Sequence, residues 1–150
     1  MDNMALKKKL LEACLLQQRK VAENAMAEMK EAYQNANDYG NPEDWFDSYK
    51  SDMLSKRDRY EQQLKKTMDE IALLERIDQE RPVEKVSFGA VVITAAQKLF
   101  ISIGLGKITV DDTTFFVISP TVPIFIAMRN LKKGDTFEFR GVKTQILEVY

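Results

Sequence analysis

Two long segments without glycine or proline flank one short acidic turn, and no other feature of the sequence constrains the fold as strongly. Residues 4–37 and 43–80 contain neither residue type, whereas Gly40 and Pro42 lie between them. Uninterrupted segments of this length favour α-helices, because glycine and proline are the residues that most disfavour a helix interior. At about 1.5 Å per residue the first helix would be roughly 50 Å long, too long for one compact small domain. Such a helix needs a partner along its length.

Apolar residues recur every three or four positions in both segments, which is the spacing of one helix face. The first stripe contains Leu11, Cys14, Val21, Ala25, Met29, Ala32 and Ala36. The second contains Phe46, Tyr49, Met53, Tyr60, Leu64, Ile71 and Leu74. Polar residues fill much of the remaining surface of the first helix, namely Gln17, Gln18, Arg19, Glu23, Glu28 and Glu31. Facing stripes joined by a short turn predict an antiparallel coiled-coil hairpin.

The turn between the two helices concentrates negative charge. Residues 38–48 hold four acids and no base, whereas the whole chain has a net charge of −1. Gly40 can end the first helix because it tolerates positive φ, and Pro42 suits the first turn of the second. Asn41 is an N-cap candidate, and Glu43 and Asp44 then lie where a helix N-terminus favours carboxylates. Taken alone, these acids are explained as well by capping and solubility as by a binding function.

The composition changes at Pro82, which we expect to end the second helix at Arg81. The rest of the chain is rich in β-branched and aromatic residues and predicts a small antiparallel sheet with one short helix. Strands are predicted over residues 86–93, 98–103, 113–118, 136–139 and 142–149. The helix is predicted over residues 124–130, followed by a turn at 132–135. The fold class is therefore α+β, with a hairpin over residues 1–81 and a second domain over residues 82–150.

Composition excludes several classes of chemistry. The chain has no histidine, which removes the usual general base and the commonest metal ligand. Cys14 is the single cysteine, so no intrachain disulfide and no cysteine zinc site can form. The lysines at positions 7–9 are not followed by the apolar core of a signal peptide, and no stretch reaches the roughly 20 apolar residues of a membrane span. We expect a cytoplasmic protein.

The second half of the chain contains the motifs Phe88-Gly89, Ile118-Ser119, Pro123-Ile124, Ala127-Met128, Gly134-Asp135 and the final Gln145-Ile146-Leu147-Glu148-Val149. In their order and spacing, these motifs resemble the C-terminal domain of bacterial Gre-type transcript cleavage factors. That family joins a coiled-coil hairpin to an FK506-binding-protein-like domain, so the resemblance covers essentially the whole chain. It implies that the chain binds RNA polymerase, inserts its acidic tip into the secondary channel and helps the polymerase's own active site hold Mg²⁺. The chain would then be no enzyme itself and would need no cofactor of its own.

The resemblance assigns roles to the residues of the tip. The shared Mg²⁺ would be held by carboxylates among Asp38, Glu43, Asp44 and Asp47, since carboxylate oxygens are the ligands that Mg²⁺ prefers. The family tip has an aspartate directly after the glycine and a glutamate three residues later. Those positions are Asn41 and Asp44 here, so the catalytic group would be Asp44 with Glu43 and Asn41.

Three further sets of residues are candidates for contacts. Trp45 and Phe46 either contact a partner or close the end of the hairpin. By resemblance, the docking surface for polymerase includes Pro123, Ile124, Met128, Gly134 and Asp135. The basic residues Lys56, Arg57 and Arg59 are candidates for contact with nascent RNA. Because Asp52, Asp58 and Glu61 are interspersed with them, the pattern favours a solvated, salt-bridged face over contact with RNA.

Two alternative functions remain open from the sequence. The first is a Gre-like factor that binds polymerase and inhibits or modulates it without stimulating cleavage, because Asn41 supplies only a neutral oxygen. The second is a prolyl isomerase, which rests only on the similarity of the C-terminal fold.

Overall fold

The computed structural model describes residues 3–38 and 44–150. Helix α1 spans Asn3–Asp38 and helix α2 spans Asp44–Glu75, which confirms the two predicted long helices. Contacts divide the chain into two compact units. One consists of Met1–Leu15 with Ala72–Tyr150, here called the sheet unit, and the other of Leu16–Ile71, here called the helix-pair unit. The predicted boundary at residue 81 differs from this division by contacts, and it stays a prediction.

Helix α2 ends earlier than the sequence predicts. Its last turn is tightened by two hydrogen bonds that span three residues, from Arg76 N–H to the Leu73 carbonyl (3.2 Å) and from Ile77 N–H to the Leu74 carbonyl (3.1 Å). Beyond it, the Asp78 carboxylate accepts a hydrogen bond from the Glu80 N–H at 2.8 Å. This local side-chain bond competes with helical hydrogen bonding. The expectation that Pro82 ends the helix was therefore wrong, since the chain leaves the helix before it.

Six strands form one mixed sheet, and together with the helices they confirm the α+β fold class. They are β1 Val91–Thr94, β2 Lys98–Ile101, β3 Gly106–Val110, β4 Thr113–Ile118, β5 Thr136–Phe139 and β6 Val142–Val149. Their order in the sheet is β3-β4-β2-β1-β6-β5. The pairing of β2 with β4 is parallel, which differs from the predicted antiparallel sheet, and the other pairings between these strands are antiparallel. The short helix α3 spans Pro123–Met128.

Two predicted strands were wrong in part, and one strand was missed. Residues 86–90 are not in a strand, because Val86 exchanges backbone hydrogen bonds with Asn130 and Leu131 and Gly89 has a positive φ of 90°. Strand β2 ends at Ile101 rather than at residue 103. The missed strand, β3, joins β4 through a two-residue turn at Asp111 and Asp112 with φ of 48° and 62°.

Helix α3 packs on one face of the sheet. Its Phe125 and Met128 are buried three positions apart, as one face of a helix requires. The buried cluster of this face consists of Val86, Ala90, Val92, Leu99, Ile101, Phe125, Met128, Phe137 and Ile146. Full burial of a side chain of this size stabilises the fold by about 1.5–3 kcal/mol. This cluster therefore fixes the positions of α3 and the β5–β6 hairpin.

The opposite face of the sheet is buried as well. Strand alternation turns Val91, Phe100, Phe115 and Val117 away from α3, and each is at most 1% exposed. The first residues of α1 and the end of α2 belong to the same unit and supply buried apolar side chains, namely Leu6, Leu10, Leu11, Leu74 and Ile77. Two observations join these elements. Ile77 lies 3.5 Å from the position that a Cβ would take at Gly89, and Lys9 Nζ lies 2.7 Å from the Asp111 carboxylate.

The buried apolar side chains of α1 in the helix-pair unit are smaller than those in the core of the sheet unit. On α1 this core consists of buried alanines, namely Ala22, Ala25 and Ala32. Gln18 was expected on the solvent side, but it is only 4% exposed, and its amide donates to the Glu70 carboxylate at 3.3 Å. In the described part of the chain no helix is both long and apolar enough to cross a membrane.

Candidate functional site

Two of the four predicted metal ligands lie at helix ends. Asp38 is the last residue of α1, and Asp44 is the first residue of α2. Asp47 lies in the first turn of α2, where the helix dipole favours a negative charge. Trp45 and Phe46 lie between these two aspartates in the same turn.

The remaining tip residues, Asn41 and Glu43, lie outside the described residues, as do Gly40 and Pro42. Among the side chains that the structure describes, which do not include those of the tip, no cluster of three or more acidic or cysteine ligands could hold a metal ion. A shared Mg²⁺ at the tip therefore stays a prediction from the sequence.

The three predicted RNA-binding residues face different ways. Lys56 and Arg59 line a cavity of about 350 Å³ together with Tyr60 and Gln63. These positions are spaced three and four residues apart, so they share one face of α2. The Lys56 ammonium lies 6.0 Å from the centroid of the Tyr60 ring, within reach of a cation–π interaction. This face presents two cations beside an aromatic ring, which is a combination that suits a phosphate with a base stacked next to it.

Arg57 belongs to a second cavity instead. Its guanidinium donates two hydrogen bonds to the neighbouring Asp58 carboxylate, at 3.0 Å and 3.3 Å. A local ion pair therefore accounts for the presence of a cation at this position. Arg57 also lines a wider cavity, of about 770 Å³, with residues of α1. The sequence could not separate Arg57 from Lys56 and Arg59, because they lie within four positions of one another.

The predicted docking residues divide into exposed residues and residues that build the fold. Pro123 is exposed at the start of α3 and Ile124 is half-buried, whereas Met128 is completely buried. The Met128 side chain cannot contact a partner in this conformation, and its role is to hold α3 on the sheet. Gly134 and Asp135 are exposed and shape the turn before β5. Gly134 has a φ of 89°, and the Asp135 carboxylate accepts from the Lys132 N–H at 2.8 Å.

Two exposed apolar residues near this turn were missed by the sequence analysis. Ile126 is 57% exposed on α3, and Val142 is 62% exposed at the start of β6. Val142 pairs with Phe139 across the strands, which places it on the sheet face that α3 covers. The Arg140 guanidinium lies 5.1 Å from the centroid of the Phe139 ring. The spacing of Phe125 and Met128 could have revealed Ile126, since a helix that buries positions i and i+3 points i+1 elsewhere.

Among the residues that the structure describes, three titratable groups have pKa values shifted by burial. Burial lowers the pKa of Lys7 to about 8, against the opposing effect of the Asp78 carboxylate, and the ammonium has no hydrogen-bond partner among the described residues. Burial raises the pKa of the Cys14 thiol to about 12, so this thiol is a poor nucleophile. Burial, aided by Glu148, raises the pKa of Tyr150. Burial in the packed interior is the main cause of all three pKa shifts.

Two solved structures resemble this chain over most of its length. One is described as the transcription factor Gfh1, with 15% sequence identity and a TM-score of 0.37, over 92% of this chain and 94% of that chain. The other is GreA factor homolog 1 (Gfh1) of Thermus thermophilus, with 13% identity and a TM-score of 0.34, over 93% of this chain and 94% of that chain. Comparison with protein families and with curated proteins gives no match.

Proposed function

We propose that this chain is a transcription elongation factor that binds RNA polymerase and carries an acidic tip into the secondary channel of the polymerase. One observation carries the proposal: helices of 36 and 32 residues flank a turn in which the acids are concentrated. From Ile71 to Asp44, helix α2 extends about 40 Å. A rigid element of that length can bring carboxylates to a catalytic centre that a compact domain cannot enter.

The chemistry of the tip fits assistance to a metal ion better than catalysis by the chain itself. Mg²⁺ binds through one or two carboxylates together with phosphate and water, and the tip offers Asp38, Glu43, Asp44 and Asp47. These carboxylates would hold the shared Mg²⁺ together with ligands supplied by the polymerase, and the ion would supply electrostatic stabilisation of charge that develops on oxygen during RNA cleavage. No nucleophile of this chain takes part.

Docking would use the exposed apolar residues of the sheet unit. Pro123, Ile124 and Ile126 of α3 present apolar surface, and Val142 at the start of β6 is a further exposed apolar residue of the same unit. Removing such residues from water on binding favours association. Lys56 and Arg59 lie about 18–22 Å from Asp44 along α2, and in the channel they would face RNA or polymerase.

A modulator without cleavage activity is the second candidate, and Asn41 is the observation that favours it. An amide oxygen carries no net charge and binds Mg²⁺ more weakly than a carboxylate, and Asp44 is one methylene shorter than glutamate. A prolyl isomerase has less support. A cavity of about 390 Å³ on the sheet unit is lined largely by polar residues such as Thr94, Gln97 and Lys98, whereas a proline ring needs an apolar pocket.

The test is RNA cleavage in backtracked elongation complexes over a range of Mg²⁺ concentrations, with polymerase binding measured separately. The chain is expected to bind polymerase and to accelerate cleavage. The double change Glu43→Ala with Asp44→Ala is expected to lower that acceleration by at least tenfold without weakening binding. Asp69→Asn, an exposed acid far from the tip, is the matched control and is expected to change neither quantity.

The possible outcomes separate the candidates. Binding without acceleration, together with cleavage gained on Asn41→Asp, would establish the modulator. Full activity of the double variant would exclude the tip mechanism. Absence of polymerase binding would refute the proposed function altogether.

A further inference from the structure

The cavity of about 770 Å³ lies on one side of the helix pair. It is lined by Met26, Ala27, Met29 and Lys30 of α1 and by Arg57 and Glu61 of α2. Lys56 and Arg59 line a different cavity, so the two sides of α2 differ in character. We call the side with Met26 the methionine flank.

Among the side chains that the structure describes in the helix-pair unit, the large exposed apolar ones lie on the methionine flank. Leu16, Met26 and Met68 are 56%, 53% and 51% exposed. Met68 follows Glu61 by seven positions, and Leu16 precedes Ala27 by eleven, so helical periodicity places both along the same side. Methionine is unbranched and adapts to irregular partner surfaces. An apolar strip of this kind on a charged helix pair indicates a surface that a partner covers.

The charges on this flank are those of a self-complementary surface. Glu23 and Lys30 are exposed, and neither forms an ion pair or hydrogen bond with a described residue. They are seven positions apart, about 10.5 Å, and Met26 and Ala27 lie midway between them. Two copies of α1 that cross antiparallel at this midpoint bring each Glu23 to the Lys30 of the other copy. A two-fold interface repeats such a contact twice.

A partner with charges of one sign would match only half of this arrangement. An acidic helix would meet Lys30 but would be repelled by Glu23, and a basic helix would have the reverse problem. A second copy of the chain satisfies both residues at once. We therefore propose that the methionine flank is a self-association surface on which two helix pairs pack antiparallel, centred between Met26 and Ala27. This inference does not depend on the proposed binding to polymerase.

The area of the apolar strip on the methionine flank sets the expected strength of self-association. The strip is about 25 Å long and about 15–20 Å wide, which gives on the order of 400 Å² per partner. Specific interfaces of that size lie at the low end of the range. We expect a weak dimer, with a Kd on the order of 10–100 μM.

The experiment is sedimentation equilibrium of the full chain between about 5 and 500 μM, at low salt and at high salt. The unmodified chain is expected to dimerise, and more weakly at high salt. Glu23→Lys alone and Lys30→Glu alone each oppose like charges twice in the dimer, so each is expected to raise the Kd by about tenfold. The double variant E23K/K30E exchanges the two charges and is expected to restore the original Kd.

Mixing the two single variants sharpens the test. In a mixed dimer the lysine introduced by E23K in one chain faces the glutamate introduced by K30E in the other, and the unchanged Lys30 of the first chain faces the unchanged Glu23 of the second. The mixture is therefore expected to form a heterodimer more tightly than either variant forms a homodimer. Lys56→Glu, on the other side of α2, is the control and is expected to leave the Kd unchanged. Circular dichroism of each variant verifies that the helices remain intact.

Several results would overturn the proposal. A monomer at every concentration would show that the flank is free or belongs to a helix of another protein. A dimer that is unaffected by the single changes, or one that the double change fails to restore, would place self-association on a different surface.

Discussion

The sheet unit and the helix-pair unit bury different kinds of side chain, and this difference explains how each contributes to the protein. The sheet unit buries large residues on both faces of one sheet, with Phe100, Phe115, Met128 and Ile146 at 0% exposed. The described α1 core of the helix-pair unit is built from alanines and one buried glutamine. A buried alanine removes little apolar surface from water, so these α1 residues gain less free energy on burial than the large residues of the sheet unit do. We infer that the sheet unit holds the fold, and that the helix pair provides length and exposed surface.

The largest effect is expected from truncating a core residue of the sheet unit. Phe100→Ala removes a fully buried ring and should lower the free energy of unfolding by about 3–5 kcal/mol. Leu64→Ala, at a half-buried position of the helix pair, should cost about 1–2 kcal/mol. Urea denaturation measures both. Equal losses of unfolding free energy in the two variants would mean that the two units contribute equally to stability, which would contradict the difference inferred above.

Enlarging a buried side chain, rather than truncating one, tests the close packing of the helix pair. Ala25 is 2% exposed, so Ala25→Leu overpacks this core and should cost about 1–3 kcal/mol. Hydrogen exchange should become faster in residues 16–71 and stay slow in the strands of the sheet unit. Asn24→Leu, at the exposed neighbouring position, is the control. If both variants exchange alike, the helices do not pack closely at Ala25.

A smaller effect concerns Lys7, the polar residue of the sheet unit that is buried at 1% exposure. Its pKa is lowered to about 8, so between about pH 8 and 9 the unfolded chain holds more protons at Lys7 than the folded chain does. Stability therefore rises with pH in this window. Lys7→Met should raise the free energy of unfolding at pH 7 by about 1–2 kcal/mol and flatten that rise.

Thermal denaturation at several pH values measures the effect of Lys7. Lys8→Met, at the exposed neighbouring position, should change neither the stability nor its pH dependence. A loss of stability in Lys7→Met would show that the Asp78 carboxylate compensates the buried charge in full. The window stops at about pH 9, because the raised pKa of the Cys14 thiol acts in the opposite direction above that pH, and the raised pKa of Tyr150 does so at still higher pH.

The sequence was sufficient for features that depend on local patterns. The two long helices follow from the absence of glycine and proline, and β4, β5 and β6 agree with their predicted bounds. Strand β3 was missed because its alternation of polar and apolar residues, from Lys107 to Val110, is only four residues long and follows two glycines, Gly104 and Gly106. The end of α2 depends on the Asp78 side chain, which helical periodicity does not report.

Local sequence patterns could not predict contacts between residues that are far apart in the sequence. The parallel pairing of β2 with β4 depends on where the chain returns after β3. The burial of Gln18 depends on Glu70, which lies 52 positions away. At the candidate site, the concentration of acids is a feature of the sequence itself, and their role as metal ligands stays a prediction. Helical spacing shows that Ile126 and Met128 lie on different faces of α3, but it does not show which of the two faces is buried.

The membership of the first residues of α1 in the sheet unit has a consequence for synthesis of the chain. Met1–Leu15 belong with Ala72–Tyr150, and the ion pair of Lys9 with Asp111 spans 102 positions. At about 5–20 residues per second, the ribosome needs roughly 7–27 s to proceed from Leu15 to Tyr150. During that interval Leu6, Leu10 and Leu11 leave the ribosome without the sheet that later completes the same unit. The nascent chain therefore exposes the apolar side chains of this helix end to water until the strands have been made.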